Sequence, residues 1–239
     1  MDICTYLQEH TLLFDGAMGT YFAAKGGRGA CELANLTAPE MILDIHRSYL
    51  EAGAMALKTN TFGANRPALG EQCTAVLEAG WDLAVQAAEG REVYVFADMG
   101  PIPADADAEE EYRFLAERFL SLGARHFLFE TLSDTAGIPQ TAAYIKSIAP
   151  ETFILISFAA QPDGFTVAGR HVKDLLRACA ADKNIDAVGL NCVCSAGHMG
   201  ALLKTIGLLD KPLSVMPNAG YSCFNAFLTL LILSLKFSS

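Results

Sequence analysis

Seven short runs of apolar, β-branched and aromatic residues start about 34 residues apart along this chain, and longer segments patterned for helix separate them. The runs are residues 11–15, 54–58, 93–97, 126–130, 153–158, 187–191 and 213–216. Most are continuous rather than alternating, the pattern of parallel strands covered on both faces. The intervening stripes recur at helical spacing: Ile42, Ile45 and Tyr49 before Gly53; Leu115, Phe119 and Leu122 before Gly123; Ala142, Ile145 and Ile148 before Pro150; Leu175, Leu176 and Cys179; Met199, Leu202, Leu203 and Ile206 before Gly207. Thr37-Ala38-Pro39-Glu40 reads as a capping box, and residues 73–89 form an Ala-rich segment between the second and third runs. No Pro- or Ser-rich linker and no charge block divides the chain, so seven βα steps predict one α/β domain. An open doubly wound sheet and a (β/α)8 barrel share this pattern. Asp15-Gly16-Ala17-Met18-Gly19-Thr20 after the first run is not the dinucleotide fingerprint G-x-G-x-x-G, which favours the barrel.

Composition narrows the function classes. Of 239 residues, 52% are hydrophobic and 18% charged, which excludes intrinsic disorder. A net charge of −10 argues against nucleic acid and against an electrostatic grip on anionic membranes. Seven cysteines, an odd number, with no basic, apolar leader at the N-terminus, predict free or metal-bound thiols in a reducing cytoplasm. The apolar run at 226–235 is far shorter than the roughly 20 residues that span a bilayer.

In a barrel, chemistry sits at the carboxyl ends of the strands, and here those ends are polar: Asp15-Gly16, Lys58-Thr59-Asn60-Thr61, Asp98-Met99-Gly100-Pro101, Glu130-Thr131, Asn191-Cys192 and Pro217-Asn218-Ala219-Gly220. Each has a plainer reading. Asp15-Gly16, Asn60 and Asn218 could be turn residues, Glu130 a helix cap, and Cys192 a small buried hydrophobe. Their coincidence at strand ends points to one functional mouth. Cys192, Cys194 and His198 offer three soft ligands within seven residues, but thiols two apart on an extended segment face opposite sides. Lys58 at a strand end admits a Schiff-base aldolase as a distant alternative.

These motifs resemble the homocysteine S-methyltransferase family, including the homocysteine module of cobalamin-dependent methionine synthase. The matching stretches are Leu13-Phe14-Asp15-Gly16-Ala17-Met18-Gly19-Thr20, residues 46–65 with Thr59-Asn60-Thr61-Phe62-Gly63-Ala64-Asn65, Phe129-Glu130-Thr131, Gly189-Leu190-Asn191-Cys192 and Pro217-Asn218-Ala219-Gly220. The resemblance implies a zinc-dependent, cytoplasmic enzyme of the EC 2.1.1 class that methylates homocysteine to methionine. It implies that Asp15 and Glu130 hold the substrate amino group, and that the backbone around Gly16 and Ala17 takes its carboxylate. Thr59 and Asn60 would line the same site, and Cys192 would be one of three zinc thiolates, with Asn218 a candidate for the open position. The implied partners are homocysteine and a corrinoid- or folate-binding methyl-donor protein, with methylcobalamin as one donor.

The sequence departs from the family after Gly220. The family's other two zinc thiolates form a Cys-Cys pair on the eighth strand, and this chain has no adjacent cysteines. Cys223 is a poor stand-in, only five residues past Asn218. The expectation is therefore an incomplete TIM barrel of about seven βα units over residues 1–220, C-terminally truncated, with a divergent apolar tail at 221–239. Within that tail, 227–235 could fill the gap as an improvised strand or helix. Methyl transfer would be impaired, and the alternative is a non-catalytic homocysteine-binding barrel without zinc.

Overall fold

The computed structural model describes residues 2–218 and 230–233. Its strands are β1 Leu12–Phe14, β2 Ala56–Lys58, β3 Tyr94–Met99, β4 His126–Leu132, β5 Phe153–Phe158, β6 Ala187–Ser195, β7 Leu213–Asn218 and β8 Leu230–Leu233. β1 to β7 pair in sequence order, all parallel. β8 then runs antiparallel between β7 and β1, so the sheet closes into a barrel. All seven expected runs are strands, and the improvised eighth forms at 230–233, while the rest of the tail lies outside the described residues.

The helices are α1 Ile3–Glu9, α2 Met18–Ala24, α3 Ala34–Thr37, α4 Pro39–Glu51, α5 Arg66–Leu69, α6 Cys73–Ala88, α7 Ala108–Ser121, α8 Ile138–Ile148, α9 Val172–Ala181 and α10 Ala196–Ile206. The expected capping box does not form. Thr37 ends α3 with its hydroxyl donating to the Leu33 carbonyl, and α4 starts from Ala38 with no side-chain cap. Pro39 supplies the start instead, with φ preset and no N–H to satisfy. A real side-chain cap stands at α7, where Asp107 accepts from the amides of Glu109 and Glu110. Asp107→Ala is expected to destabilise the chain by about 1 kcal/mol in denaturant melts, the usual worth of such a cap.

Strand parity sorts the side chains into an inner and an outer core. Leu12, Phe14, Ala56, Phe96, Leu128, Phe153, Leu155, Ala187 and Met216 pack together inside the barrel. Ile3 and Leu7 of α1 join them and plug the amino end. The alternate residues, such as Ala97, Phe127, Phe129, Ile154, Ile156 and Val188, pack outward under the helices. Gly189 on β6 is dictated by closeness: a Cβ there would collide with the Ser214 carbonyl oxygen of β7.

The same parity positions the site. Two residues beyond the inward-facing Ala56, Phe96, Leu128, Leu155, Gly189 and Met216 come Lys58, Asp98, Glu130, Ser157, Asn191 and Asn218. The apolar floor of the barrel thus gives way to a polar storey at its carboxyl end.

Candidate active site

Asp15 follows β1 directly. Its N–H continues the ladder to the Ala56 carbonyl, and its Oδ2 accepts from the Lys58 amide at 3.1 Å. Its other oxygen, Oδ1, is buried with no partner. Burial drives the carboxyl up to about 7, the Lys58 ammonium and amide oppose this, and the Glu130 charge adds to it. Gly16 lets α4 approach, since a Cβ there would meet the Tyr49 ring at 2.7 Å. The Tyr49 hydroxyl donates to the Ala17 carbonyl, which fixes the turn into α2.

Glu130 lies inside β4 and caps no helix. Its Oε2 is 3.7 Å from Lys58 Nζ, and both side chains are largely buried. Burial pulls the Lys58 ammonium down, but Glu130, then Asp15, Asp98 and Cys192, outweigh it and hold the group above its ordinary value. A Schiff-base lysine needs the opposite shift, so the aldolase alternative has no support at this site.

Asp98 is buried with Oδ1 unpartnered. Burial and the neighbouring Glu130 push its carboxyl well above the usual range, against the pull of Lys58. A hydroxyl relay fixes its backbone. Thr61 donates to the Asp98 carbonyl, so the Thr59 hydroxyl donates to Thr61 and accepts the Asp98 amide at 2.9 Å. The Asn60 amide is likewise committed, donating to the Cys31 carbonyl and to Asn35 Oδ1, both at 2.8 Å. Thr59 and Asn60 therefore stand at the rim as frame residues, their side chains bonded to protein.

Across the mouth, Asn191 binds the ends of β4, β5 and β6 together. Its Oδ1 accepts from the Thr131 amide and the Ser157 hydroxyl, each at 2.9 Å, and its Nδ2 donates to Thr131 Oγ1 at 2.7 Å. Three non-glycine residues in the described chain have positive φ: Thr131 at 61°, Cys192 at 55° and Val193 at 57°. All flank this amide. Two are β-branched, for which the left-handed region costs about 1–3 kcal/mol each, and such strain gathers at functional sites. The turn presents Cys192 Sγ to Thr131 Oγ1 at 3.8 Å and to Asn191 Nδ2 at 3.5 Å. Burial and Glu130 raise the thiol above its ordinary value, against those two donors and Lys58.

Cys194 turns the other way, into the outer core, with its thiol on the Ala160 carbonyl at 3.0 Å. His198 sits in the first turn of α10, where its Nδ1 meets Ser195 Oγ at 3.0 Å. The local Cys-Cys-His trio is therefore not assembled. Asn218 is exposed at the end of β7, its backbone paired with Ser195. Cys223 lies outside the described residues. Among the described residues no three His, Cys, Asp or Glu side chains group as a metal site.

The structure thus brings Asp15, Glu130 and Cys192 to one mouth with two further charged groups, Lys58 and Asp98. Sequence alone offers Lys58 as a nucleophile and Asp98 as a polar strand end. The signal for both was strand parity, since each lies two residues past an inward-facing apolar residue.

The model of the homocysteine S-methyltransferase family matches residues 12–228. Methionine synthase of Mycobacterium tuberculosis is 29% identical over 256 residues, covering 94% of this chain but 21% of that protein. Homocysteine S-methyltransferase of Escherichia coli is 27% identical, covering 89% of this chain and 79% of the relative. The chain therefore spans about a fifth of the methionine synthases it matches. The crystal structure of the homocysteine methyltransferase MmuM from E. coli, in its metallated form, superposes with a TM-score of 0.76 at 24% identity, covering 92% of this chain and 88% of the other. A family match over nearly the whole barrel, on the same strand ends that form the mouth, shows that this chain belongs to the homocysteine S-methyltransferase family.

Proposed function

We propose that the carboxyl mouth of this barrel binds homocysteine and presents its sulfur for methylation, giving methionine. The observation that carries this reading is the cluster of buried carboxyl groups in excess of their one cation. Asp15 and Glu130, with Asp98 beside them, face one ammonium, and Asp15 keeps an unpartnered oxygen. Buried charge is costly unless paired, and an α-ammonium group is a fitting partner. Asp15 and Glu130 would hold that ammonium, and the backbone at Gly16 and Ala17 would take the carboxylate. The substrate sulfur would then lie toward Cys192. Its methylation needs a thiolate, and a free thiol near pKa ~8.5 is mostly protonated at neutral pH.

In this family zinc supplies that activation when bound, by fixing the acceptor sulfur as a thiolate. Of the donors the resemblance assigns to it, the described residues supply one sulfur, Cys192, with Asn218 exposed at the rim. That set does not fit a tetrahedral thiolate site. Impaired transfer follows if Cys192 is the chain's single metal thiolate. The second reading, a homocysteine-binding barrel without catalysis, is favoured by the same donor set.

A methyl-donor protein or module, corrinoid-bearing or folate-binding, is the partner class implied, with methylcobalamin as one donor. No helix among the described residues is long and apolar enough to cross a membrane. The test is metal analysis beside a methionine assay with L-homocysteine and methylcobalamin. Stoichiometric zinc, lost together with methionine formation in Cys192→Ala, is expected of the enzyme. Homocysteine binding with neither zinc nor methionine establishes the binding module.

A further inference from the structure

We propose that Asp98 is a third carboxylate of the amine subsite and that Lys58 is its resident counter-ion, an internal ammonium that moves from Glu130 toward Asp98 when the substrate's own ammonium enters. The inference rests on the mouth being a homocysteine site, and goes beyond it by assigning two residues that the family motifs leave without a role.

Four observations carry it. Lys58, Asp98 and Glu130 share inward parity on consecutive strands, each two residues above the apolar floor formed by Ala56, Phe96 and Leu128. Lys58 Nζ lies 3.7 Å from Glu130 Oε2, outside hydrogen-bond range, so the pair is loose. Asp98 Oδ1 is buried and unpartnered although the residue is 3% exposed, so a seat for a cation exists and is not taken. The relay through Thr59 and Thr61 grips the Asp98 amide and carbonyl, so the carboxylate stays where the backbone puts it.

Charge arithmetic then favours exchange over simple addition. Three carboxyl groups face one ammonium, burial makes Asp15 and Asp98 hold their protons more tightly than free carboxyls until a cation pairs with them, and Glu130 alone cannot seat two ammonium groups. An amine arriving at Glu130 repels the lysine already there. The flexible four-carbon stem of Lys58 lets it swing, and Asp98 Oδ1 is the oxygen in need of a donor. The device selects for ligands with a free α-ammonium, because a ligand without one leaves Lys58 on Glu130 and meets no reward from Asp15.

The test compares L-homocysteine with 4-mercaptobutanoate, which keeps the thiol and the carboxylate and lacks the amine, by calorimetry on the whole chain. In Asp98→Asn, which keeps the shape and the backbone bonds, homocysteine affinity should fall about tenfold while 4-mercaptobutanoate affinity holds. The preference for the amine shrinks accordingly. In Lys58→Met that preference should grow. Thermal melts of each variant establish that a folded protein is being titrated. An unchanged preference in folded Asp98→Asn, or an equal loss of both ligands, overturns the role of Asp98. A smaller preference in folded Lys58→Met overturns the exchange. If the wild-type chain binds homocysteine and these variants do not shift the preference, the inference fails while the homocysteine reading stands. If the wild-type chain binds neither ligand, both fail.

Discussion

Asp15→Asn is expected to weaken L-homocysteine binding roughly a hundredfold and, at the same time, to make the folded chain more stable above pH 7. The first effect is the loss of a buried charge partner for an ammonium, typically about 2–5 kcal/mol. The second follows from burial. The Asp15 carboxyl titrates near 3.8 when unfolded and about 7 when folded, chiefly because it is buried, with Lys58 opposing the shift and Glu130 adding to it. Between those values the folded state holds a proton that the unfolded state has released. Stability contributed by this group therefore falls as pH rises from about 4 to about 7 and is level above that. An asparagine has nothing to titrate and still accepts the Lys58 amide, so the variant escapes the fall, a difference of about 2–4 kcal/mol by pH 8. The titratable groups that face Asp15 are Lys58, Glu130, Asp98 and the Tyr49 hydroxyl; burial lifts the tyrosine to about 12 and the surrounding carboxylates hold the lysine above its ordinary value, so neither of these two titrates in that window. Ammonium binding requires the ionised carboxylate, so wild-type affinity should rise between pH 6 and pH 8, with a proton released on binding below pH 7. Denaturant melts and calorimetry across that range check both signs.

Phe96→Ala is expected to cost about 3–5 kcal/mol, the usual price of emptying a large aromatic site in a rigid core. Phe96 is wholly buried at the centre of the inner core. Its ring lies 4.8 Å from Phe14, 5.2 Å from His126 and 6.1 Å from Phe153, centroid to centroid. Neighbours on other strands cannot collapse into the space, because each is held by the barrel's hydrogen-bond ladder. For a domain of this size the loss lowers the melting temperature by about 6–20 °C. Asp98 stands two residues along the same strand, so the variant also loosens the floor beneath the charged storey.

The barrel was legible because its strands are buried on both faces, and a run such as Phe153-Ile154-Leu155-Ile156-Ser157-Phe158 has no amphipathic reading to compete with it. Strand ends were less so. β4 and β6 extend to Leu132 and Ser195, past the expected limits at 130 and 191, through irregular pairing around Thr131 and Cys192. That geometry depends on cross-strand bonds from Asn191, which no local pattern announces. Asp15, Glu130 and Cys192 were found as polar residues closing apolar runs. Lys58 and Asp98 carry the same mark, but their meaning is a matter of company: each becomes part of a site only when the barrel sets it beside the other and beside Glu130. Thr59 and Asn60 stand at the mouth as sequence places them, but no local pattern announces that their side chains are bonded to Asp98, Thr61, Cys31 and Asn35. The capping box at Thr37 misled because α3 takes that threonine as its own last residue.

The placement of the substrate amine is the centre of this account, and a crystal structure of the chain with L-homocysteine tests it directly. The expected result is an α-ammonium within about 3.2 Å of carboxylate oxygens of Asp15 and Glu130, with the sulfur pointing toward Cys192 and Lys58 Nζ moved toward Asp98. An amine lying away from both carboxylates, or a ligand bound outside the carboxyl mouth of the barrel, would contradict it.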